Sequence, residues 1–200
     1  VPEATRLLVR SMEEYNCDMV ISDFYRVSGE RLAQKGDIEE DKVMSRQEFA
    51  SYMIENPADF YYGVLWNKMY RRSIIEEYHI RMDTSISWCE DFLFNLEYIR
   101  HAESFFALQV PIYYYLKRRG SLVSQGASIT NTVRMKSNIF EYYNEFYKDV
   151  YEDKDYADIR LQVYSFLWAA AKDGSVLAGS KKLGEERRRI TREEVEGNGA

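Results

Sequence analysis

The segment 17–27 (CDMVISDFYRV) limits the possible folds most, because its β-branched and aromatic residues are typical of a β-strand. Gly29 then offers a turn into a second, more polar strand that ends near Gly36. Apolar residues at helical spacing predict an amphipathic helix ahead of this hairpin: Leu7, Leu8, Met12 and Tyr15. The chain therefore begins with a helix, a strand and a hairpin.

Two S-x-x-E patterns predict the starts of further helices. Ser45 with Glu48 precedes one apolar helix, and Ser73 with Glu76 predicts a shorter one. In each pattern the serine side chain can accept a hydrogen bond from a backbone amide that the helix leaves unpaired. We expect both serines to be N-caps.

The remaining segments alternate between helical and strand patterns. The stretch 90–102 has one apolar helical face and two acids in its first turn. The stretch 105–116 predicts one or two strands interrupted by Pro111, and helices are predicted over 133–150 and 158–172. From residue 174 the sequence is small and charged, which predicts a linker and a solvated, marginal helix.

Composition excludes several classes of function. The net charge of -6, with 33 acidic against 27 basic residues, argues against binding to a nucleic-acid backbone. Two cysteines, Cys17 and Cys89, give neither a disulfide framework nor a zinc pattern, which fits a reducing, cytoplasmic setting. No run of about 18 apolar residues occurs, so any membrane association is expected to be peripheral.

Three blocks, taken together, resemble family 2 inverting glycosyltransferases. They are LWNKMYRRSII at 65–75, IRMDTSISWCEDFLFNLEYI at 80–99 and VPIYYYLKRRGSLVS at 110–124. Each block alone is a weak signal, but their order and spacing cover about half of the chain. The resemblance implies an α/β fold, in which two abutting halves share a mixed sheet of the GT-A type flanked by helices.

The chain is expected to be the acceptor-side, C-terminal half of such an enzyme. We assign 1–130 to this half, 131–173 to a helical extension and 174–200 to a flexible or marginally helical tail. The D-x-D metal motif of the family would precede Val1, so we expect Mn²⁺ or Mg²⁺ in the full-length enzyme and no metal ligand or cofactor in this chain. The acidic run 37–41 (DIEED) is expected to be solvated surface.

The acid pair Glu90 and Asp91 is the candidate catalytic centre. Inverting transfer needs a base that removes a proton from the acceptor hydroxyl, and a carboxylate at a helix start stays ionised readily. Neighbouring residues of a helix point about 100° apart, so one of the two can face the acceptor. The resemblance gives the catalytic role to Asp91, with Glu90 as its orienting neighbour. Acids in a first helical turn are also ordinary caps.

Further site residues follow from the same resemblance. It places Trp66, Asn67, Lys68 and Trp88 near the acceptor, where an aromatic face could stack on a sugar ring. Alternatively, the tryptophans fill core volume, Asn67 caps a turn and Lys68 is solvated. The loop residues predicted to approach the donor diphosphate are Lys117, Arg118, Arg119 and Ser121, although a solvated loop around Gly120 would have the same composition.

The resemblance implies transfer of a sugar from a nucleoside diphosphate sugar to a carbohydrate or lipid-linked acceptor, as in polysaccharide biosynthesis. The alternative is a non-catalytic carbohydrate-binding or interaction module that kept the aromatic acceptor surface. For the full-length transferase, the expected partners are a nucleotide sugar and a glycan acceptor, and no nucleic acid. An isolated half is also expected to self-associate through the sheet edge that the missing half would cover.

Overall fold

The computed structural model describes residues 1–57, 59–84, 89–116, 129–172 and 188–191, with side chains within 1–57, 59–84, 89–116 and 139–167. The helices are α1 Ala4–Glu14, α2 Arg46–Glu55, α3 Phe60–Gly63, α4 Arg72–Glu77, α5 Glu90–His101, α6 Ile129–Val150 and α7 Asp153–Lys172. The strands are β1 Met19–Ser22, β2 Phe24–Ser28, β3 Arg31–Lys35, β4 Lys42–Ser45, β5 Lys68–Tyr70, β6 Ser104–Leu108, β7 Tyr114–Leu116 and β8 Arg188–Thr191.

The first sheet has the strand order β4-β6-β1-β5. Its central pair, β1 and β6, is parallel, with Met19 opposite Phe105 and Ser22 opposite Leu108. The two outer strands, β4 and β5, run antiparallel to their neighbours. All four residues of β1 are buried, because both faces of this central strand are covered.

Alternate residues of this sheet enter two separate cores, as the two-residue period of a strand requires. Met19 and Ile21 join the main core, which also contains buried residues of α2, α5, α6 and α7. Val20 joins a smaller core on the opposite face, beneath Leu8 of α1. Helices therefore cover both faces of the first sheet, and the two long C-terminal helices share its main core. The predicted boundary at residue 130 stays a prediction.

The second sheet has the order β7-β2-β3-β8 and is also mixed, since β2 runs parallel to β7 and antiparallel to β3. The predicted hairpin is confirmed: Gly29, at φ +62°, lies in the turn between β2 and β3. The pattern of mixed sheets flanked by helices confirms the α/β class. Within the tail, Arg188–Thr191 is a strand paired with β3, so the prediction of a helix is wrong for these four residues. Local composition is the basis of the helix prediction, whereas a strand depends on its pairing partner, here β3.

Only one of the two predicted capping patterns is confirmed. The Ser45 side chain accepts a hydrogen bond from the Glu48 amide at the start of α2. Ser73, in contrast, lies inside α4, whose N-cap is Arg71 without a side-chain cap. β5 ends at Tyr70 and α4 already begins at Arg72, so Ser73 is inside the helix and cannot be its N-cap.

The acidic run 37–41 is only partly solvated. Glu39 and Glu40 are exposed, as predicted. Asp37 is half-buried and accepts hydrogen bonds from the Asn56 amide and the Tyr62 hydroxyl. The prediction of a solvated surface is therefore wrong for Asp37, because this carboxylate joins the end of β3 to α2 and α3.

Asp23 lies where the chain crosses from the first sheet to the second. Its amide donates to the Leu108 carbonyl, its carbonyl accepts from the Ile112 amide, and its side chain accepts from Gln34 at 2.8 Å. Gly36 packs so closely that a Cβ atom there would lie 1.8 Å from the Asp23 carboxylate. This contact requires glycine at the end of β3.

We expect Gly36→Ala to destabilise the chain by about 1–3 kcal/mol or more, because the added methyl must displace a fully buried carboxylate. Denaturant unfolding measures the change. Gly29→Ala is the matched control: it has the strain of a positive φ but nothing within 4 Å of the new methyl. It should cost about 1 kcal/mol. Equal losses in the two variants would contradict the close contact at Asp23.

Candidate active site

The candidate site begins at the first turn of α5. Cys89, the residue before the helix, has a left-handed backbone (φ 66°) and provides no side-chain cap. The half-buried Asp91 carboxylate accepts a hydrogen bond from the backbone amide of Leu65, which belongs to another part of the chain. Asp91 therefore joins α5 to the segment that follows α3.

Glu90 and Asp91 face different surroundings, as their positions on a helix require. Glu90 lines a surface pocket together with Arg81, Glu97 and Arg100. Asp91 instead faces the Leu65 amide. The acid pair is thus divided, with Asp91 on the side of the 65–75 block and Glu90 beside two arginines.

The pKa of Asp91 is raised above the ordinary value of a carboxyl group, contrary to the expectation that its place at a helix start keeps it readily ionised. Partial burial is the main cause, and the neighbouring charge of Glu90 adds to it. The Leu65 amide and the charge of Lys68 act in the opposite direction. A carboxylate in such surroundings binds a proton more readily than one in water, which is what a general base has to do.

Asn95 lies one turn after Asp91 on the same face of α5 and is fully buried. Its side-chain amide donates to the carbonyls of Tyr62 and Gly63 at 3.0 Å, with Val64 at 3.4 Å. These carbonyls belong to the end of α3, where a helix leaves its last carbonyl groups unpaired. Asn95 therefore supplies the partners that a buried helix end needs.

Lys68, at the start of β5, completes the same set of bonds. Its ammonium donates to the carbonyls of Tyr61 and Val64 and to the side-chain oxygen of Asn67. Only 7% of Lys68 is exposed, and burial lowers its pKa well below the ordinary value of a lysine. In this structure Lys68 contacts protein carbonyls and is not a solvated side chain.

Asn67 is fully buried as well. Its side-chain amide donates to the backbone carbonyls of Ser22 and Tyr61. Its backbone carbonyl accepts from the Ser22 amide at 2.8 Å. These bonds join the end of β1 to the end of α3. The predicted roles of Asn67 and Lys68 in contacting an acceptor stay predictions; in the described structure both side chains are enclosed.

Trp66, by contrast, is half-buried in a group of aromatic rings that we call the aromatic platform: Phe24, Phe60, Trp66, Tyr113 and Tyr115. The Trp66 ring stacks on Tyr113 with centroids 4.3 Å apart and lies nearly parallel to Tyr115. Tyr113 is 41% exposed. Trp66 of the platform directly follows Leu65, whose amide binds Asp91. One short segment therefore contacts both the carboxylate and the platform.

Several predicted site residues lie outside the described residues: Trp88, Lys117, Arg118, Arg119 and Ser121. Within the described part of the chain, no group of three or more His, Cys, Asp or Glu side chains could hold a metal ion. The same part contains no helix long and apolar enough to cross a membrane.

Sequence reasoning missed two contributors to the site. Asn95 could have been noticed, because it is a polar residue on the apolar face of α5, four positions after Asp91. Tyr113 gave no such signal, since its stacking on Trp66 depends on the contact between two distant blocks. Its exposure too depends on packing.

Comparison with known proteins points to one class. No protein-family model matches the chain. Over 116 residues, 58% of the chain, it is 27% identical to the uncharacterized glycosyltransferase EpsJ of Bacillus subtilis (strain 168), and this match is 34% of that protein.

The fold of the chain is similar to that of S. aureus TarS 1-349 in complex with UDP-GlcNAc, at a TM-score of 0.58 and 18% identity over 86% of this chain. A second TarS structure, with UDP, gives 0.51 and 15% over 82%.

The fold is thus that of a glycosyltransferase domain, which confirms the predicted resemblance at this level. The chain spans about a third of the length of EpsJ. It covers 46% and 41% of the two TarS structures.

We expect Asp91→Asn to be at least as stable as the original chain at pH 7. The raised pKa of Asp91 means that its protonated form favours folding, and this stabilisation is lost as the pH rises through the folded-state pKa. Asparagine is uncharged throughout and can still accept from the Leu65 amide. The advantage of the variant should shrink as the pH falls, in denaturant unfolding at several pH values. Asp153→Asn, at the exposed start of α7, should bring no gain.

Proposed function

We propose that the full-length protein is an inverting glycosyltransferase of family 2 and that this chain supplies its catalytic base and acceptor side. The observation that supports this most is the position of Asp91. Its carboxylate is half-buried, has a raised pKa, and is held by the Leu65 amide next to the aromatic platform. The proposed base is thus hydrogen-bonded to the residue that precedes Trp66 of the proposed sugar-binding surface, which supports a shared site.

In this reaction Asp91 accepts the proton of the acceptor hydroxyl while that oxygen attacks the anomeric carbon of the donor sugar. The bond from this carbon to the diphosphate breaks on the opposite face, and the nucleoside diphosphate leaves with the electron pair. The product is a new glycosidic bond with inverted configuration. Asp91 requires only a fixed position and a free lone pair toward the acceptor.

The donor in this proposal is a nucleoside diphosphate sugar, a class that the UDP-GlcNAc and UDP complexes of TarS support. Lys117, Arg118, Arg119 and Ser121 remain the proposed contacts to its diphosphate, where basic groups would stabilise the charge of the leaving group. A divalent cation, Mn²⁺ or Mg²⁺, is proposed to bind the diphosphate in the full-length enzyme. The described residues contain no group of three or more His, Cys, Asp or Glu side chains that could hold this cation.

The acceptor in this proposal is a carbohydrate or a lipid-linked glycan. Its sugar ring would stack on the aromatic platform, where Trp66 and Tyr113 provide flat apolar surface with partial exposure. We propose a role in polysaccharide biosynthesis at the cytoplasmic side of a membrane, with peripheral contact to it.

We expect Asp91→Asn in the full-length enzyme to lower kcat by about 10²- to 10⁴-fold, because the variant keeps the side-chain shape but loses the proton acceptor. The KM for the nucleotide sugar should change little. Steady-state kinetics with saturating donor and acceptor measure both quantities.

Glu90→Gln is the matched control, since it removes the neighbouring charge without touching the Leu65 contact, and it should reduce kcat much less. Asparagine caps helices about as well as aspartate. Turnover of Asp91→Asn close to that of the unmodified enzyme would therefore reduce Asp91 to a structural residue and refute the proposed base.

We expect Trp66→Leu to raise the KM for the acceptor about tenfold, because a stacked aromatic ring contributes about 1 kcal/mol or more. Trp66→Tyr, which keeps a flat ring, should recover most of the loss. The KM for the donor is the internal control. A Trp66→Leu enzyme with unchanged acceptor KM and correct folding would remove the platform from the acceptor site.

A further inference from the structure

Lys68 carries a positive charge that the proposed reaction has not used. All three of its hydrogen-bond partners, at 2.5–2.9 Å, are oxygens: the carbonyls of Tyr61 and Val64 and the side-chain oxygen of Asn67. Backbone carbonyls only accept, and an ammonium has three hydrogens to donate whereas a neutral amine has two. Three acceptors around one nitrogen favour the charged form, whereas burial acts against it by lowering the pKa of Lys68.

The orientation of Asn67 supports this conclusion. Its amide nitrogen donates to the carbonyls of Ser22 and Tyr61, which can only accept, so its oxygen must be the atom that faces Lys68. Reversing the amide would lose both bonds and place two donors against the lysine. Every partner of the lysine thus acts as an acceptor.

Two carboxylates act on this buried charge. Burial disfavours the ammonium, while Asp91 and then Asp59, the N-cap of α3, favour it. The ionised form of Asp91 is in turn disfavoured by the charge of Glu90 and favoured by that of Lys68. The charge of Asp91 also raises the pKa of Tyr70 in β5. Among the groups named here, Lys68 is the only cation acting on Asp91.

We propose that Lys68 is a positioning residue of the Asp91 site: its ammonium holds the end of α3 so that the Leu65 amide meets the carboxylate, and it is the buried countercharge of that carboxylate. This inference extends the proposed function, on which its catalytic part rests. It gives the same lysine a mechanical and an electrostatic role.

The mechanical role follows from the shared segment. Lys68 binds the carbonyls of Tyr61 and Val64, and the next residue, Leu65, presents its amide to Asp91. The electrostatic role follows from enclosure: with little water to screen it, a buried charge influences a neighbour more strongly than a surface charge does. Without Lys68, the Leu65 amide alone would oppose the effects of burial and Glu90, and Asp91 would hold its proton to higher pH.

The test compares Lys68→Gln and Lys68→Met with Lys148→Met in the full-length protein. Lys148 lies on α6 and pairs with Glu145 at the surface, so its loss should change neither readout. We expect the pKa of Asp91, followed by ¹³C NMR of labelled aspartate carboxyls, to rise by about one pH unit in both Lys68 variants. The acidic limb of kcat/KM should move upward by the same amount, about a tenfold loss at its low end. A purely structural role would lower activity equally at all pH values.

A second measurement uses the unmodified protein and decides the matter where the variants do not fold. ¹⁵N NMR of labelled lysine should show Lys68, recognisable by slow proton exchange, as an ammonium throughout pH 5.5–8.5. A neutral amine at pH 7, or an Asp91 pKa that is unchanged in folded Lys68 variants, would overturn the inference. A full-length protein without transferase activity would instead refute the proposed function, while both NMR measurements would still test the charge pair.

Discussion

The end of helix α3 is the constraint on which the site depends. A helix of four residues leaves its last carbonyl groups unpaired, and here those groups are buried, where each needs a hydrogen-bond partner. The partners come from outside the helix: Lys68 of β5 and Asn95 of α5. The segment 61–65 is therefore fixed by a strand of the first sheet on one side and by the helix that carries Asp91 on the other.

This arrangement places the partner of Asp91 beside the aromatic platform. Because the segment ends at Leu65, the amide that binds Asp91 and the indole of Trp66 are adjacent along the chain. Trp66 in turn stacks on Tyr113, which precedes β7 in the second sheet. Both sheets and α5 thus meet at one point. A displacement of α3 would therefore move the Leu65 amide and the Trp66 ring together.

The sequence predicts those features that depend on local pattern. The hairpin at Gly29, the cap at Ser45 and the start of α5 at Glu90 are confirmed, since turn chemistry, capping and helical period act within a few residues. Ser73 shows the limit of such patterns: the same motif is present, but α4 begins at Arg72, before the serine. Local signals indicate elements well and their first residues less well.

Burial of polar residues is what the sequence could not predict. Lys68 and Asn67 have the composition of an exposed turn, and the alternatives for Lys68 were a ligand contact or a solvated side chain. Both residues are enclosed because α3, which no pattern indicated, ends beside them. Likewise, Asp37 belongs to a run of acids but pairs with Tyr62 across the fold. Such partners are distant in sequence, and only tertiary packing brings them together.

In the proposed mechanism, Asp91 needs both the proton affinity of a base and a fixed position. Full burial would raise its pKa until it held its proton at neutral pH, and full exposure would leave it as weakly basic as any surface acid. Its actual position is intermediate: partial burial and Glu90 raise the pKa, while the Leu65 amide and Lys68 limit the rise. Lys68, one of the groups that limit the rise, also binds the carbonyls of Tyr61 and Val64 in the segment 61–65. The same residue therefore contributes to both the position and the basicity of the carboxylate.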